Sequence, residues 1–337
     1  MLNILMAVSV AYSMAYNPDE AFIQTGGVEA LVDSVLAIEY TVGSRVTGGG
    51  SAIVMEELED GSLLCLTNHH VIHPEVAAAK DPSWRKVVSQ HRQRGVQPPS
   101  IRMMAIDNEH NQATLEVVAE DEDADVAIIK VAPQVSGASV ALAMPESARL
   151  GSTTWVVGNS AARGLSVHRG VLSQRSRSQG LLSTDAAVNP GNSGGGLFSS
   201  DGKLIGMLVY KQSEAEGIAY AIPSDVLERW YADLKRDGRI KEAQFGMVFK
   251  DDSRNSEVAL DYPVRIVRVK PGSPGERAGL RAGDRVISAN GVRVTSEASV
   301  LGLQKRWTSD WEVRWRVLRD GQPMNFTATS VGKEDPR

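Results

Sequence analysis

The chain has 337 residues, which at about 150 residues per domain points to two domains and leaves room for three. With 42% hydrophobic and 23% charged residues it has the composition of a folded globular protein, which excludes a disordered, collagenous or coiled-coil chain. A formal net charge of -5 supplies no global field toward nucleic acid or an anionic membrane, and a single cysteine, Cys65, excludes an internal disulfide framework and a cysteine-rich zinc site.

At the N-terminus, Leu2 to Val10 is apolar and Ser13-Met14-Ala15 offers small residues at the spacing a signal peptidase prefers, while no Lys or Arg precedes Arg45. Residues 1–27 are therefore expected to be an N-terminal segment resembling a weak signal peptide. No apolar run reaches the roughly 18 residues that a spanning helix needs.

From about Val28 to Ala221, short β-type runs are separated by Gly, Asn, Asp and Ser: Leu36 to Val42, Ser51 to Met55, Leu63 to Thr67, Leu115 to Val118, Val126 to Val131, Trp155 to Val157 and Leu204 to Tyr210. Many short strands without helical alternation predict a sandwich or closed barrels. Pro74 to Gly95 reads as an insertion, with a helix that Asp81-Pro82 starts and Gly95 stops. Its basic residues, Lys80, Arg85, Lys86, Arg92 and Arg94, suit a solvated helix face, because only Trp84 interleaves with them as a stacking residue.

Between Pro223 and Gly238, Val226, Leu227, Trp230 and Leu234 recur at helical spacing behind a cap at Ser224 or Asp225, predicting a helical linker over 223–240. Residues 241–332 form a second β unit with strands at Val264 to Val269, Arg285 to Ala289 and Trp311 to Leu318, a helix near Glu297 to Lys305, and a last hairpin turning at Asp320-Gly321.

Gly191-Asn192-Ser193-Gly194-Gly195-Gly196 is the segment richest in chemical information. Glycines on both sides of one serine allow a tight turn that presents its hydroxyl, with the N–H groups of Gly191 and Ser193 free to converge on an oxyanion. A serine nucleophile needs a base, and the base needs a carboxylate to orient it. His69, His70 and His73 cluster just after a strand, and Asp125 closes an acidic run from Glu120. The order His, Asp, Ser is that of chymotrypsin-type proteases built from two facing barrels.

The segments TNHHVI, DADVAIIKV and STDAAVNPGNSGGGL resemble the three catalytic blocks of the HtrA/Deg serine proteases, VVGNS resembles a further block of that family, and PGSPGERAGLRAGDRVISANG resembles a PDZ core. The resemblance implies a mostly β chain: two six-stranded trypsin-like β-barrels over 28–222, followed by a smaller PDZ domain. It carries the base to His70, the orienting carboxylate to Asp125 and the nucleophile to Ser193, with Gly191, Asn192 and Ser193 as the oxyanion turn. His69 departs from the small polar residue usual at its position, and Gly196 from the usual proline.

The same resemblance places the primary specificity pocket around Ala187 and Val188 and on the strand Met207-Leu208-Val209, which would also pair with the substrate backbone. All of these side chains are apolar, so cleavage after Val, Ala, Leu or Ile is expected, and not after Arg or Lys. Phe245, Gly246 and Met247 stand where a PDZ domain captures a C-terminal carboxylate. The implied activity is ATP-independent endoproteolysis of unfolded proteins by an extracytoplasmic homotrimer, without cofactor or nucleic-acid partner. A proteolytically inactive PDZ chaperone or scaffold, or a processing protease with one target, would carry the same motifs. No metal is assigned: His69, His70 and His73 have no cysteine near them, and the run from Asp121 to Asp125 lacks the glycine of a calcium loop.

Overall fold

The computed structural model describes residues 22–23, 26–42, 45–75, 82–97, 100–144, 148–175, 180–209, 217–253 and 261–332. The signal-like stretch up to Ala15 lies outside the described residues, as do Lys80 and Tyr210.

Helix α1 (Gly27–Val32) leads into β1 (Val35–Val42), β2 (Arg45–Glu57) and β3 (Leu63–Thr67), then the short helix α2 (His69–Ile72), helix α3 (Pro82–Gln93), and β4 (Arg102–Ile106), β5 (Gln112–Ala113), β6 (Leu115–Asp121) and β7 (Val126–Val131). The strands pair antiparallel in the order β5-β4-β1-β2-β3-β7-β6. Helix α3 has Pro82 at its first position, where the missing N–H costs nothing, and Gly95 just beyond it takes φ 68°.

The continuous apolar run in β7 is explained by burial on both faces. Ala127, Ile129 and Val131 fill the interior of the first sheet with Leu36, Ile38, Val54 and Cys65. Val126 and Ile128 face outward into a larger cluster shared with the rest of the molecule.

This first sheet has seven strands where six were expected, and no ladder closes it among the described residues, although β4 lies against β6. The additional strand is β5, produced by a tight turn from Asp107 to Asn111. The Asp107 carboxylate accepts from the N–H groups of Glu109 at 3.0 Å, Asn111 at 2.9 Å and Ser136 at 3.0 Å, and from Asn111 Nδ2 at 2.9 Å.

Next come β8 (Thr153–Asn159), a 3-10 turn (Ser160–Ala162), β9 (Leu165–Arg175), β10 (Leu182–Thr184), β11 (Gly196–Ser199), β12 (Leu204–Val209) and β13 (Ala219–Pro223). They form a closed barrel in the order β10-β13-β12-β11-β8-β9. Val156, Leu172, Leu182, Leu197, Ile205, Leu208 and Ala221 fill it.

Helix α4 (Ser224–Asp237) packs on β6 and β7 of the first sheet and on β12 and β13 of the barrel, burying Val226, Leu227, Trp230 and Leu234. Its N-cap is Pro223, not Ser224 or Asp225, because the Ser224 hydroxyl instead donates to Ala143 O at 2.5 Å. Gly238 ends the helix in the left-handed conformation, its N–H donating to Leu234 O.

The last unit comprises β14 (Ala243–Gln244), β15 (Met247–Asp251), β16 (Val264–Val269), α5 (Pro274–Arg277), β17 (Arg285–Ala289), β18 (Val292–Arg293), α6 (Glu297–Gln304), β19 (Glu312–Arg319), β20 (Gln322–Thr329) and β21 (Val331–Gly332). In β19, Val313, Trp315 and Val317 are fully buried while Glu312, Arg314 and Arg316 are exposed. Trp315 is the centre of an aromatic cluster, edge-on to Phe245 at 5.4 Å and to Trp307 at 5.8 Å, and stacked with Phe249 at 5.9 Å. The β19–β20 turn has positive φ at both Asp320 and Gly321, which is the geometry a two-residue hairpin needs.

Asp107 gives the first sheet a testable pH signature. Burial pushes its carboxyl up, but the donors from Asn111, Ser136 and Glu109 outweigh burial and hold it below the usual carboxylate range. A depressed folded-state value means stability that is present above the unfolded value, about 3.9, and is lost as pH falls through the folded one. Asp107→Asn is expected to lower the unfolding free energy at pH 7 by roughly 1.5–3 kcal/mol in urea titrations. That difference from wild type should shrink as pH falls through the carboxyl's depressed value.

Candidate active site

The backbone that follows β3 places His70 in α2, and the loop before β7 places Asp125 opposite it. His70 Nδ1 lies 2.9 Å from Asp125 Oδ1 and 3.0 Å from Oδ2, and the His70 backbone N–H donates to Oδ1 at 3.1 Å. Asp125 is held in the left-handed region at φ 55°, an uncommon conformation for a residue with a side chain. Two bonds keep it there: Asn68 Nδ2 donates to Asp125 O at 2.9 Å, and Asp125 N donates to Glu122 O at 3.2 Å. Of the nearby carboxylates, Asp121 accepts from Ala124 N at 2.9 Å and so closes the turn, and it is Asp125 that meets the imidazole.

Ser193 is buried, 4% exposed, in a turn that depends on glycine. Gly194 has φ 81°, and a Cβ there would lie 2.1 Å from Ser51 O and 2.5 Å from Thr67 Oγ1. Thr67 is three residues before His70, so the serine turn packs against the strand end that carries the histidine. Gly191 has φ 101°, and a Cβ there would meet Asn159 O at 2.1 Å. The backbone of Asn192 donates back to Asn189 O at 3.1 Å, and neither polar atom of its side chain meets a partner among the described residues.

Sequence reasoning missed Ser51, which fixes this turn. Ser51 N donates to Ser193 O at 2.8 Å and Ser51 Oγ donates to Gly191 O at 2.8 Å. The same Oγ accepts from Asn159 N at 2.8 Å, and Ser51 O accepts from Thr67 Oγ1 at 2.6 Å. The VVGNS segment gains its meaning here. A Cβ on Gly158 would meet Asn192 Oδ1 at 2.8 Å, while Asn159 reaches across to Ile38 O at 3.2 Å. Nothing in the local sequence GGGSAI marks this serine, since its partner Gly191 is 140 residues away.

The five residues assigned to the specificity pocket do not share one surface. Side chains alternate along a strand, so Leu208 points into the barrel with Ala186 and Val188, whereas Met207 and Val209 point into the larger cluster with Trp155, Ile222 and Trp230. Ala187 is exposed. The expected strand addition along Met207-Leu208 is blocked by barrel closure. Both residues pair with β13, while on the other side Met207 pairs with Gly196 and Leu208 exchanges bonds with Gly194 and Gly195.

Two clefts flank these elements. One, about 300 Å³, is lined by Asp125, Leu181, Val209, Trp230 and, from the third unit, Gly302 and Arg306. Burial pushes the Arg306 guanidinium down to about 10. The other, about 660 Å³, lies between β15 and α6 and is lined by Phe245, Gly246, Met247, Arg268, Leu301 and Lys305. Gly246 has φ 69°, and Lys270 N donates to its carbonyl at 2.7 Å. Phe245 is 1% exposed, so most of its ring belongs to the core around Trp315.

Residues 50–207 match the trypsin-like peptidase domain family, and residues 265–303 match the PDZ domain family. A trypsin-like match followed by a PDZ match supports the resemblance to the HtrA/Deg serine proteases. A probable periplasmic serine endoprotease DegP-like from Marinomonas sp. (strain MWYL1) is 29% identical over 248 residues, 68% of this chain and 52% of the relative. The putative serine protease HhoA from Synechocystis sp. is 26% identical over 315 residues, 87% of this chain and 73% of the relative. The chain thus spans about half the length of the DegP-type relative. Among solved structures, the HtrA-type protease AlgW with tripeptide superimposes with a TM-score of 0.58 at 22% identity, covering 93% of this chain and 98% of that one. No helix among the described residues is long and apolar enough to cross a membrane.

The Ser51 arrangement makes a direct prediction. Ser51→Ala leaves the buried N–H of Asn159 and the C=O of Gly191 without their partner, which costs about 1–3 kcal/mol. Urea unfolding should show that loss, with the m-value unchanged.

Proposed function

We propose that this HtrA/Deg chain is an ATP-independent serine endopeptidase acting on unfolded proteins, with a trypsin-like unit over 28–222, the helical linker 223–240 and a PDZ unit over 241–332. The observation that carries the reading is the imidazole of His70 held by both oxygens of Asp125, beside a glycine turn that carries Ser193 and is tied through Ser51 and Thr67 to the strand that leads to His70.

In this mechanism Asp125 accepts the Nδ1–H of His70, which leaves Nε2 as the base. His70 takes the Ser193 proton as Oγ attacks the scissile carbonyl. The N–H groups of Gly191 and Ser193 receive the oxyanion, with Asn192 shaping the turn between them. The proton passes from His70 to the leaving amine, and a water activated by the same base releases the acyl enzyme. None of the residues assigned to the specificity pocket carries a charge, which favours Val, Ala, Leu or Ile before the scissile bond over Arg or Lys.

The periplasmic naming of relatives supports an extracytoplasmic location. Assembly as a homotrimer, with no role for nucleic acid, completes the reading.

Reduced casein, incubated with the purified chain, tests it. Ser193→Ala should abolish both cleavage and fluorophosphonate labelling, and Asp125→Asn should lower kcat by about 10⁴. Peptides with Val or Leu before the scissile bond should be cut and their Arg counterparts left intact. A folded wild type that neither labels nor cleaves, with or without C-terminal peptides, would favour the inactive chaperone or scaffold.

The cleft between β15 and α6 is proposed to bind C-terminal peptides by strand addition along Met247, with the loop at Gly246 receiving the carboxylate. A Cβ at Gly246 would lie 2.3 Å from Ser273 Cβ, in a conformation strained for any other residue. Gly246→Ala is therefore expected to weaken the binding of a fluorescent apolar C-terminal peptide at least tenfold, as read by anisotropy.

A further inference from the structure

Beside the His70–Asp125 pair, and separate from it, the structure groups a different set of side chains. His69 and His73 lie at either end of α2, with ring centroids 4.4 Å apart, and both turn Nε2 toward Glu120 on β6. His73 Nε2 is 2.8 Å from Glu120 Oε2, and His69 Nε2 is 3.7 Å from the same oxygen. One ligand atom from each residue falls within 4.8 Å of the others. The intervening His70 faces Asp125 instead.

Hydrogen bonding alone accounts for only half of this arrangement. The His73 contact is a good hydrogen bond, but 3.7 Å is too long for one, so His69 is aimed at an oxygen it does not reach. A tetrahedral zinc ion with nitrogen and oxygen ligands at about 2.0–2.2 Å has its ligand atoms roughly 3.3–3.5 Å apart. The two spacings to Glu120 Oε2 straddle that edge length, and the third, between the two histidines' ligand atoms, is within 4.8 Å.

A second observation points the same way. His73 Nδ1 lies 3.0 Å from Glu75 Oε1. A ligating histidine commonly gives its other ring N–H to a carboxylate in this manner, which fixes the ring and makes Nε2 more basic. The site is open to solvent, with side-chain exposures of 17% for His69, 31% for His73 and 41% for Glu120. Two imidazoles and one carboxylate suit Zn²⁺, with a water in the fourth position, and offer too few oxygens for Ca²⁺ or Mg²⁺.

We propose that His69, His73 and Glu120 form a Zn²⁺ site that clamps α2, and with it the turn carrying His70, to β6. Three histidines weighed as one set gave no metal at the sequence level. The fold removes His70 from that set and supplies Glu120, 47 residues further along the chain.

The test uses the full chain, stripped with chelator and titrated at pH 8 because the ligands must be deprotonated. Calorimetry with Zn²⁺ should show a single site per chain, and Co²⁺ should give the intense visible bands of four-coordinate geometry. Mg²⁺ and Ca²⁺ should give no binding heat. His69→Ser and Glu120→Gln should each weaken Zn²⁺ at least tenfold, and Glu75→Gln by roughly 10- to 100-fold. His91→Ala should leave affinity unchanged. Amide exchange over residues 69–73 should slow when Zn²⁺ is added.

Absence of Zn²⁺ binding by the wild type, a six-coordinate Co²⁺ spectrum, or wild-type affinity in Glu120→Gln would each overturn the proposal. Glu120→Gln preserves volume at a partly exposed position, so it decides the matter even if His69→Ser fails to fold.

Discussion

Ser51 sits at the point where β2 of the first sheet, the end of β8 in the barrel and the Ser193 turn come within hydrogen-bond reach of one another. Its N–H, hydroxyl and carbonyl engage Ser193, Gly191, Asn159 and Thr67. Apart from the Thr67 hydroxyl, the groups it engages are buried backbone N–H and C=O groups, which need partners when they are shut away from solvent. The placement of Ser193 relative to His70 and Asp125 therefore depends on the seam between two sheets. Docking of the first sheet against the barrel aligns the Ser193 turn with the strand that leads to His70.

The seam is backed by apolar packing. Strands β7 and β12 bury side chains on both faces, one inside their own sheet and one in the cluster that the sheets share with α4. Trp230 of α4 is buried in that cluster and also lines the cleft beside Asp125. At the helix surface, Tyr231 Oη donates to Glu56 Oε2 at 3.1 Å and Lys235 pairs with the same carboxylate. An exposed ion pair of this kind contributes little. The buried aromatic and aliphatic contacts hold α4 in place.

The legibility of this architecture in the sequence followed physical lines. Strands β3, β7, β16 and β17 have the bounds expected of them: β3 and β7 are compact apolar runs, and β16 and β17 mix Val and Ile with polar residues between turn residues. Strand β9 escaped notice because residues such as His168, Arg169 and Gly170 leave it half exposed with no apolar run, and it is defined by its ladder with β8 instead. Chain order alone did not choose among His69, His70 and His73, whereas the pairing of His70 with Asp125 was readable from the resemblance of their segments to the HtrA/Deg blocks. The role of Ser51 and the grouping of His69 and His73 with Glu120 were not, since each rests on contacts between segments far apart in sequence whose local patterns are unremarkable. Strand addition at Met207-Leu208 failed for a related reason: only the closed ladder reveals that those residues already have neighbours on both sides.

Cys65 lies in β3 with no exposure, packed among Val54, Leu36 and Ile129, and burial pushes its thiol well above the usual range. A thiol that is both inaccessible and protonated is a poor nucleophile for disulfide exchange and a poor target for oxidants. Nothing in the described fold is cross-linked through sulfur, and nothing in it waits to be. The chain's folding is thus decoupled from redox potential: it should reach the same native state in an oxidising or a reducing medium, with no need of an isomerase.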